Sequence, residues 1–220
     1  MKNIKFLTKN LIAHRGLHSS NNIENTLKAF IKAMNAGYTI ELDIHILRDN
    51  TIVIYHDYNL KRLTGVNKVI EKLTYPQLSK IKIKNKYQIP TLQRVMNIIN
   101  GKVPLLIEVK TIEKNINFFK KIIEILDNYH GLFAIQSINP LVIEWFYKNK
   151  RNYPLGLIII NDINYKILKK YTKMIDFISI YKKNLPFKSK KIIIGWTIKN
   201  KKELEKYKPL SDNLIVENIL

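Results

Sequence analysis

The sequence predicts a (β/α)8 barrel of the TIM type, an α/β fold whose parallel sheet closes on itself. Short apolar runs alternate with helical segments of about 10 to 15 residues, which is typical of parallel sheets and barrels. There are eight such runs, the number that closes this barrel, and their Val, Ile and Leu content fits strands covered on both faces. The predicted strands are Leu11–His14, Thr39–His45, Val103–Val109, Leu132–Gln136, Leu155–Ile160, Asp176–Ile180, Ile192–Trp196 and Asn213–Val216.

The helical segments carry recognisable end signals. Asn25–Ala36 has Asn25 as its predicted N-cap and Gly37 just past its end. Thr91–Asn100 starts on a capping threonine and stops at Gly101. Capping side chains and terminal glycines mark helix ends because they satisfy or turn the free backbone groups there. The other predicted helices are Glu113–Asn128, Pro140–Asn149 and Lys201–Lys208.

One further strand, Thr51–His56, departs from the alternation because only a short turn separates it from the strand before it. Such a turn makes an antiparallel hairpin. With Asp49 and Asn50 at the tip, the pairing places His56 opposite Asp43, on one face with Glu41.

Residues 58–89 are predicted to form a small insertion, with a short helix near Pro76–Ile81. Neither an internal repeat nor a linker rich in Gly, Pro or Ser divides the chain. We therefore expect a single barrel domain over residues 1–220.

The composition excludes several classes of protein. The chain has no cysteine, which rules out a disulfide scaffold, a thiolate zinc site and a cysteine nucleophile. Its first residues lack the apolar run of a signal peptide, and its longest apolar stretches are too short to span a membrane. We expect a cytoplasmic protein without a transmembrane segment.

The net charge of +21 raises the alternative of a basic nucleic-acid-binding protein. Only five of the 38 basic residues are arginine, and the lysines are spread along the chain. Base and phosphate recognition favours the bidentate fork of arginine, so nucleic-acid binding is a remote alternative. The charge would still attract an anionic substrate.

Three acidic residues occupy strand positions that favour a metal site. Glu41 and Asp43 are two apart on one strand and point the same way, and Glu108 lies near the carboxyl end of another. That end of a barrel is where its enzymes place their active sites. Uncompensated acids in a buried strand are costly, and three oxygen ligands without sulfur favour one Mg²⁺ or Ca²⁺ ion.

Two histidines and two cations are expected at the same rim. His14 and Arg15 end the first strand, Lys110 follows Glu108 by two residues, and His56 ends the hairpin. A divalent cation with an arginine and a lysine describes a site for a phosphate oxyanion. Two histidines beside it supply a general base and a general acid, so the natural reaction class is phosphodiester hydrolysis.

The same residues carry a resemblance to the glycerophosphodiester phosphodiesterase family. The match is ordered and dense over residues 11–110 and thinner afterwards. Its motifs are His14-Arg15-Gly16, Glu24-Asn25-Thr26, Gly37 followed by Glu41-Leu42-Asp43, the Asp49 turn, His56-Asp57, Leu60, Arg62, Thr64-Gly65, Ile89-Pro90-Thr91-Leu92, Glu108-Val109-Lys110, Gln136-Ser137, Gly195-Trp196-Thr197 and the closing strand near Ile215.

The resemblance implies one divalent cation and hydrolysis of deacylated phospholipids such as glycerophosphocholine to glycerol 3-phosphate and an alcohol. The matching positions imply His14 and His56 as the acid/base pair, Glu41, Asp43 and Glu108 as metal ligands, Arg15 and Lys110 as phosphate contacts, and Trp196 in the substrate pocket. His18 and His45 lie near the rim but match no catalytic position. The last strand ends Val216-Glu217 where the family often has Thr-Asp.

Several alternatives stay open at this stage. A phospholipase D-like or phosphatidylinositol phospholipase C-like enzyme would use the same site on a lysolipid or inositol lipid, with peripheral membrane contact through the lysine surface. Either histidine could be the base, and the attacking group could be water or the glycerol 2-hydroxyl. The head group, the choice between Mg²⁺ and Ca²⁺ and the oligomeric state are also open.

Overall fold

The computed structural model describes residues 2–150, 152–160 and 162–219, with only the backbone described for 162–165. Short 3₁₀ turns cover Lys5–Thr8, Ile70–Lys72, Lys182–Asn184 and Lys208–Leu210. The strands are β1 (Ile12–Ala13), β2 (Thr39–Ile46), β3 (Ile52–Ile54), β4 (Lys82–Ile83), β5 (Tyr87–Gln88), β6 (Leu105–Val109), β7 (Phe133–Ser137), β8 (Leu155–Ile159), β9 (Phe177–Tyr181), β10 (Ile192–Ile198) and β11 (Asn213–Val216). The helices are α1 (Leu27–Asn35), α2 (Lys61–Thr64), α3 (Tyr75–Leu78), α4 (Leu92–Ile99), α5 (Ile116–Leu126), α6 (Pro140–Asn149), α7 (Asp162–Tyr171) and α8 (Lys201–Tyr207).

Eight parallel strands close into a barrel. Strand β1 pairs in parallel with both β2 and β11, through Ile12 opposite Thr39 on one side and Ile215 on the other. The remaining neighbours follow in chain order from β6 to β11, and β2 pairs with β6. The predicted (β/α)8 barrel is confirmed, with β3 added as an antiparallel strand on β2.

The barrel interior changes from apolar to polar along its strands. One apolar cluster joins Leu106, Ala134 and Phe177 to the 3₁₀ turn at the chain start. Two residues further along the same strands, the buried positions are polar: Glu108, Gln136 and Ser179. Because side chains two apart on a strand share a face, the apolar layer forms a floor under a polar layer at the carboxyl ends.

The hairpin register differs by one residue from the prediction. Ile44 lies opposite Ile54, and the backbone N–H of Tyr55 donates to Asp43, so the expected pairing of His56 with Asp43 is wrong. The turn is centred on Asp49 because Leu47 hydrogen-bonds to Thr51 across a three-residue loop. Such loops are a common hairpin class and need one left-handed residue, here Asn50 with φ 66°.

Two helix expectations also change. The N-cap of α1 is Thr26, whose hydroxyl accepts from Ala29 N–H at 3.3 Å, and not Asn25, which has φ 54°. Helix α7 was not predicted, although its buried Leu168 and Tyr171 have the three-residue spacing of one helix face. The lysines between and before them obscure that stripe in the sequence.

The insertion, residues 58–89, contains α2, α3 and the β4–β5 hairpin. It packs its own apolar cluster onto one face of β3, through Val53 and Tyr55, while Ile52 and Ile54 face the main core. This alternation is the period of two expected of a strand covered on both sides. Within the described residues, no helix combines the length and apolar character needed to cross a bilayer.

Candidate active site

The three predicted metal ligands meet at the carboxyl end of the barrel. Asp43 on β2 lies directly opposite Glu108 on β6, and Glu41 is two residues earlier on β2. One oxygen from each carboxylate lies within 4.8 Å of the others, and all three residues are buried. The adjacent parallel strands therefore bring together three hard oxygen ligands of the kind that magnesium and calcium bind.

Cations and amides hold these carboxylates in place. Lys110 Nζ donates to Glu108 at 2.8 Å and lies 3.5 Å from Asp43 Oδ1. The backbone N–H of Arg15 donates to Glu41 at 2.9 Å, and Asn25 Nδ2 donates to Asp43 Oδ2 at 2.8 Å. In the described part of the chain, Asp43 Oδ1 is buried and accepts no hydrogen bond, which fits a carboxylate oxygen reserved for a cation.

The electrostatics show an excess of negative charge. Burial, with the neighbouring carboxylates Asp43 and Glu108, holds the pKa of Glu41 well above its usual value. Burial also raises the pKa of Glu108. Burial acts in the same direction on Asp43, but Lys110 and Arg15 outweigh it and hold the pKa of Asp43 well below normal. The donor set thus fits a divalent cation, which would compensate the remaining charge.

His56 is oriented by a carboxylate of its own. Its Nδ1 lies 2.6 Å from Asp57 Oδ1, and Arg62 Nε donates to the other oxygen of Asp57 at 2.6 Å. This network assigns the proton to Nδ1 and leaves the Nε2 lone pair of His56 for the pocket. Burial lowers the pKa of His56, although Asp43 acts against that shift.

The same network reaches the predicted phosphate contact Arg15. Glu24 accepts from Arg15 Nη1 at 2.7 Å and from both terminal nitrogens of Arg62 at 3.0 and 2.7 Å. Arg15 itself has φ 54° and is followed by Gly16, whose φ is 80° and which packs against the backbone of Ala29. A side chain at residue 16 would collide with Ala29, so glycine sets this turn.

His14 lies at the end of β1, beside a carboxylate that the sequence did not mark as functional. Its Nδ1 is 3.4 Å from Glu217 Oε2, just after β11. The contact with His14 lowers the pKa of Glu217 to about 2. His18 Nε2 is 4.0 Å from the other oxygen of Glu217. His45 is buried behind His56, with Glu71 3.1 Å from its Nδ1 and the backbone oxygen of His56 3.3 Å from its Nε2.

Several of the predicted site residues line a cavity of about 330 Å³. Its polar wall contains both predicted acid/base histidines, Arg15, Lys110 and two of the carboxylates. Its other wall is apolar and includes Trp196. That wall also contains four isoleucines that the sequence reading did not single out, namely Ile138, Ile158, Ile160 and Ile215. A sequence signal was available, because each lies at, or within two residues of, the carboxyl end of a predicted strand.

Three further residues of the family-like motifs also belong to the site. Glu24, Asp57 and Arg62 belong to the hydrogen-bonded network beside His56. Asp57 adjoins His56 in the sequence, whereas Glu24 and Arg62 reach it only through the fold. The contact of Glu217 with His14 depends on barrel closure between β1 and β11, which no local pattern reveals.

Comparisons with known proteins identify the family of the chain. Residues 14–180 match the Glycerophosphoryl diester phosphodiesterase family, and the chain belongs to that family. It is 34% identical over 170 residues to Lysophospholipase D GDPD1 of Homo sapiens, covering 70% of this chain and 52% of that protein. It is 32% identical over 153 residues to a Glycerophosphodiester phosphodiesterase of Caldanaerobacter subterraneus, covering 59% of this chain and 63% of that protein.

The fold is also that of solved structures. A phosphodiesterase of Oleispira antarctica, in complex with the product sn-glycerol-3-phosphate, superposes with a TM-score of 0.83 at 19% identity, covering 96% of this chain and 94% of the other. A glycerophosphodiester phosphodiesterase of Thermotoga maritima gives 0.76 at 22% identity, with 94% of each chain covered. The chain spans about half the length of the human relative it matches.

Proposed function

We propose that the protein hydrolyses glycerophosphodiesters, the deacylated phospholipids, to glycerol 3-phosphate and an alcohol. One observation carries this proposal. His14 and His56, each beside a carboxylate, line one cavity together with Arg15 and Lys110. Paired imidazoles beside a cationic oxyanion site provide both proton transfers that phosphodiester cleavage needs. The family match and the relative named Glycerophosphodiester phosphodiesterase support it.

Glu41, Asp43 and Glu108 would hold one Mg²⁺ or Ca²⁺ ion. When bound, such an ion supplies positive charge to a phosphate oxygen. Side chains of the protein bind the phosphate and transfer the protons. Arg15 and Lys110 bind the phosphodiester oxyanion, one imidazole removes the proton of the attacking hydroxyl, and the other gives a proton to the leaving alkoxide. Asp57 keeps the proton of His56 on Nδ1, so that Nε2 faces the reacting groups.

The test is release of glycerol 3-phosphate from glycerophosphocholine and glycerophosphoethanolamine. We expect EDTA to stop release and added Mg²⁺ or Ca²⁺ to restore it. His14→Ala and His56→Ala should each abolish turnover while the circular dichroism spectrum stays unchanged. The matched control is His130→Ala, an exposed histidine before β7 at the opposite end of the barrel. Wild-type turnover in either active-site variant would contradict the assignment.

A second candidate substrate is a lysophospholipid, favoured by the apolar wall. Ile138 and Ile160 line the cavity and are each 40% exposed, so they extend it to the surface. Nearby on the same rim, Ile112 after β6 is 78% exposed and Leu141 in the first turn of α6 is 41% exposed. An apolar path from a phosphate site to the surface would accommodate an acyl chain. A relative named Lysophospholipase D supports this candidate.

The two substrates can be separated by matched variants. Ile138→Ser and Ile160→Ser should raise KM for lysophosphatidylcholine and leave KM for glycerophosphocholine unchanged. Ile31→Ser is the control, because Ile31 is 39% exposed on α1, away from the cavity lining. An equal effect of the rim variants on both substrates would argue against an acyl-chain path.

A further inference from the structure

A second group of metal-ligating side chains lies beside the carboxylate cluster. It contains His14 at the end of β1, His18 in the following loop and Glu217 just after β11. One nitrogen or oxygen from each lies within 4.8 Å of the others. Closure of the barrel between β1 and β11 brings these residues together, although about 200 positions separate them in the sequence.

The distances fit a small cation at the centre of the group. His14 Nδ1 is 3.4 Å and His18 Nε2 is 4.0 Å from the two oxygens of Glu217. Ligand atoms bound tetrahedrally to zinc at 2.0–2.1 Å are about 3.3 Å apart. The separations are therefore close to those of a metal site, and somewhat longer than in one that is filled.

The two imidazole nitrogens lie beside Glu217 without a hydrogen bond to it. His14 Nδ1 and His18 Nε2 are buried and make no hydrogen bond within the described part of the chain. The two rings are 6.4 Å apart between centroids and tilted by 56°, so neither stacks on the other. Buried polar atoms are nearly always satisfied, and a shared cation would satisfy both nitrogens and the carboxylate at once.

We propose that His14, His18 and Glu217 form a site for a borderline divalent transition ion such as Zn²⁺, separate from the three-carboxylate site. Two imidazoles and one carboxylate are a typical zinc donor set, whereas three carboxylates favour magnesium or calcium. The two neighbouring sites thus differ in the softness of their ligands, and each selects a different class of ion.

Occupation of this site would inhibit the enzyme; this consequence rests on the proposed function. A metal on Nδ1 of His14 leaves the ring proton on Nε2, the nitrogen that remains for the cavity. The ring then has no free lone pair with which to accept a proton. It also cannot form the doubly protonated imidazolium that gives a proton up readily. His14 would be removed from acid/base chemistry without any change in the fold.

The binding test uses Co²⁺, which gives visible d–d absorption in a tetrahedral nitrogen-containing site. Protein in excess Mg²⁺ is titrated with Co²⁺, and the same titration is run on His18→Asn and on the matched control His130→Asn. We expect wild-type and control absorption bands of equal strength, and at least about tenfold weaker binding in His18→Asn. Glu217→Gln is a second variant that should weaken the same bands.

The activity test uses Zn²⁺ in excess Mg²⁺, with glycerophosphocholine as the substrate. We expect Zn²⁺ to inhibit the wild type and His130→Asn equally. His18→Asn should need a Zn²⁺ concentration at least about tenfold higher for the same inhibition. The proposed site would be refuted if His18→Asn bound Co²⁺ as tightly as the wild type, or if the wild type showed no d–d absorption bands. Equal zinc inhibition of His18→Asn would place the inhibition elsewhere. Because the cobalt arm needs no turnover, failure of the proposed activity is distinguishable from failure of this site.

Discussion

Replacement of Asp57 by asparagine tests whether His56 depends on its carboxylate. The contact between His56 Nδ1 and Asp57 Oδ1 is 2.6 Å long, and Arg62 holds Asp57 from the other side. A hydrogen bond to a charged group contributes about 1.5–3 kcal/mol. About 1.4 kcal/mol corresponds to a tenfold change in rate, so we expect kcat to fall about 10- to 100-fold.

The assay is steady-state release of glycerol 3-phosphate in excess Mg²⁺. Since Asp57 does not line the cavity, KM should stay within about twofold of wild type, while kcat carries the loss. Asp127→Asn is the matched control, because Asp127 is also bonded to a basic side chain but lies on the surface after α5. A wild-type kcat in Asp57→Asn would refute the orienting role, and an equal loss in the control would show a general effect on folding.

Three further variants test the metal ligands, the ion-pair network and the core. Glu41→Gln should raise the Mg²⁺ concentration needed for half-maximal activity by at least about tenfold, measured by metal titration of the EDTA-treated protein. Arg62→Gln should lower thermal stability at pH 7, and the deficit should shrink as pH falls below about 4. The reason is that Arg62 holds the pKa values of its two carboxylate partners below their unfolded values, so its stabilisation is present above those values and is lost in acid. A deficit that persists unchanged at pH 3 would contradict this. Gly156→Ala should cost about 1–3 kcal/mol of unfolding free energy, because its methyl group would overlap the ring of Phe177, and Phe177→Leu in the same chain should recover part of that loss in calorimetry.

The barrel could be predicted because its signals are local. Each strand is a short apolar run, and caps such as Thr91 mark helix starts that the structure reproduces. The hairpin register could not be fixed in this way. A two-residue and a three-residue turn are both compatible with Asp49-Asn50, and they differ by one position in the strand that follows. Asn25 illustrates the other source of error, since its side chain satisfies Asp43 while the next residue caps the helix.

The site was predictable where the chemistry lies on strands. Glu41, Asp43 and Glu108 meet as expected because the strand period and the parallel pairing of β2 with β6 determine their faces. The partners that orient the histidines were harder to recognise. Asp57 adjoins His56 in sequence, yet Glu217 meets His14 only where the last strand closes against the first. Contacts of that kind depend on closure geometry, which single-sequence patterns do not contain.

The local distribution of charge makes the proposed cation site compatible with a chain of net charge +21. Five carboxylates form one connected network on the polar side of the cavity, namely Glu24, Glu41, Asp43, Asp57 and Glu108. Three cationic side chains, those of Arg15, Arg62 and Lys110, oppose them. The network therefore has a net excess of two negative charges, which one divalent cation would neutralise. Because a buried excess of this size is unfavourable, a raised pKa at Glu41 or a bound cation must relieve it, and only the cation leaves a centre able to attract a phosphodiester.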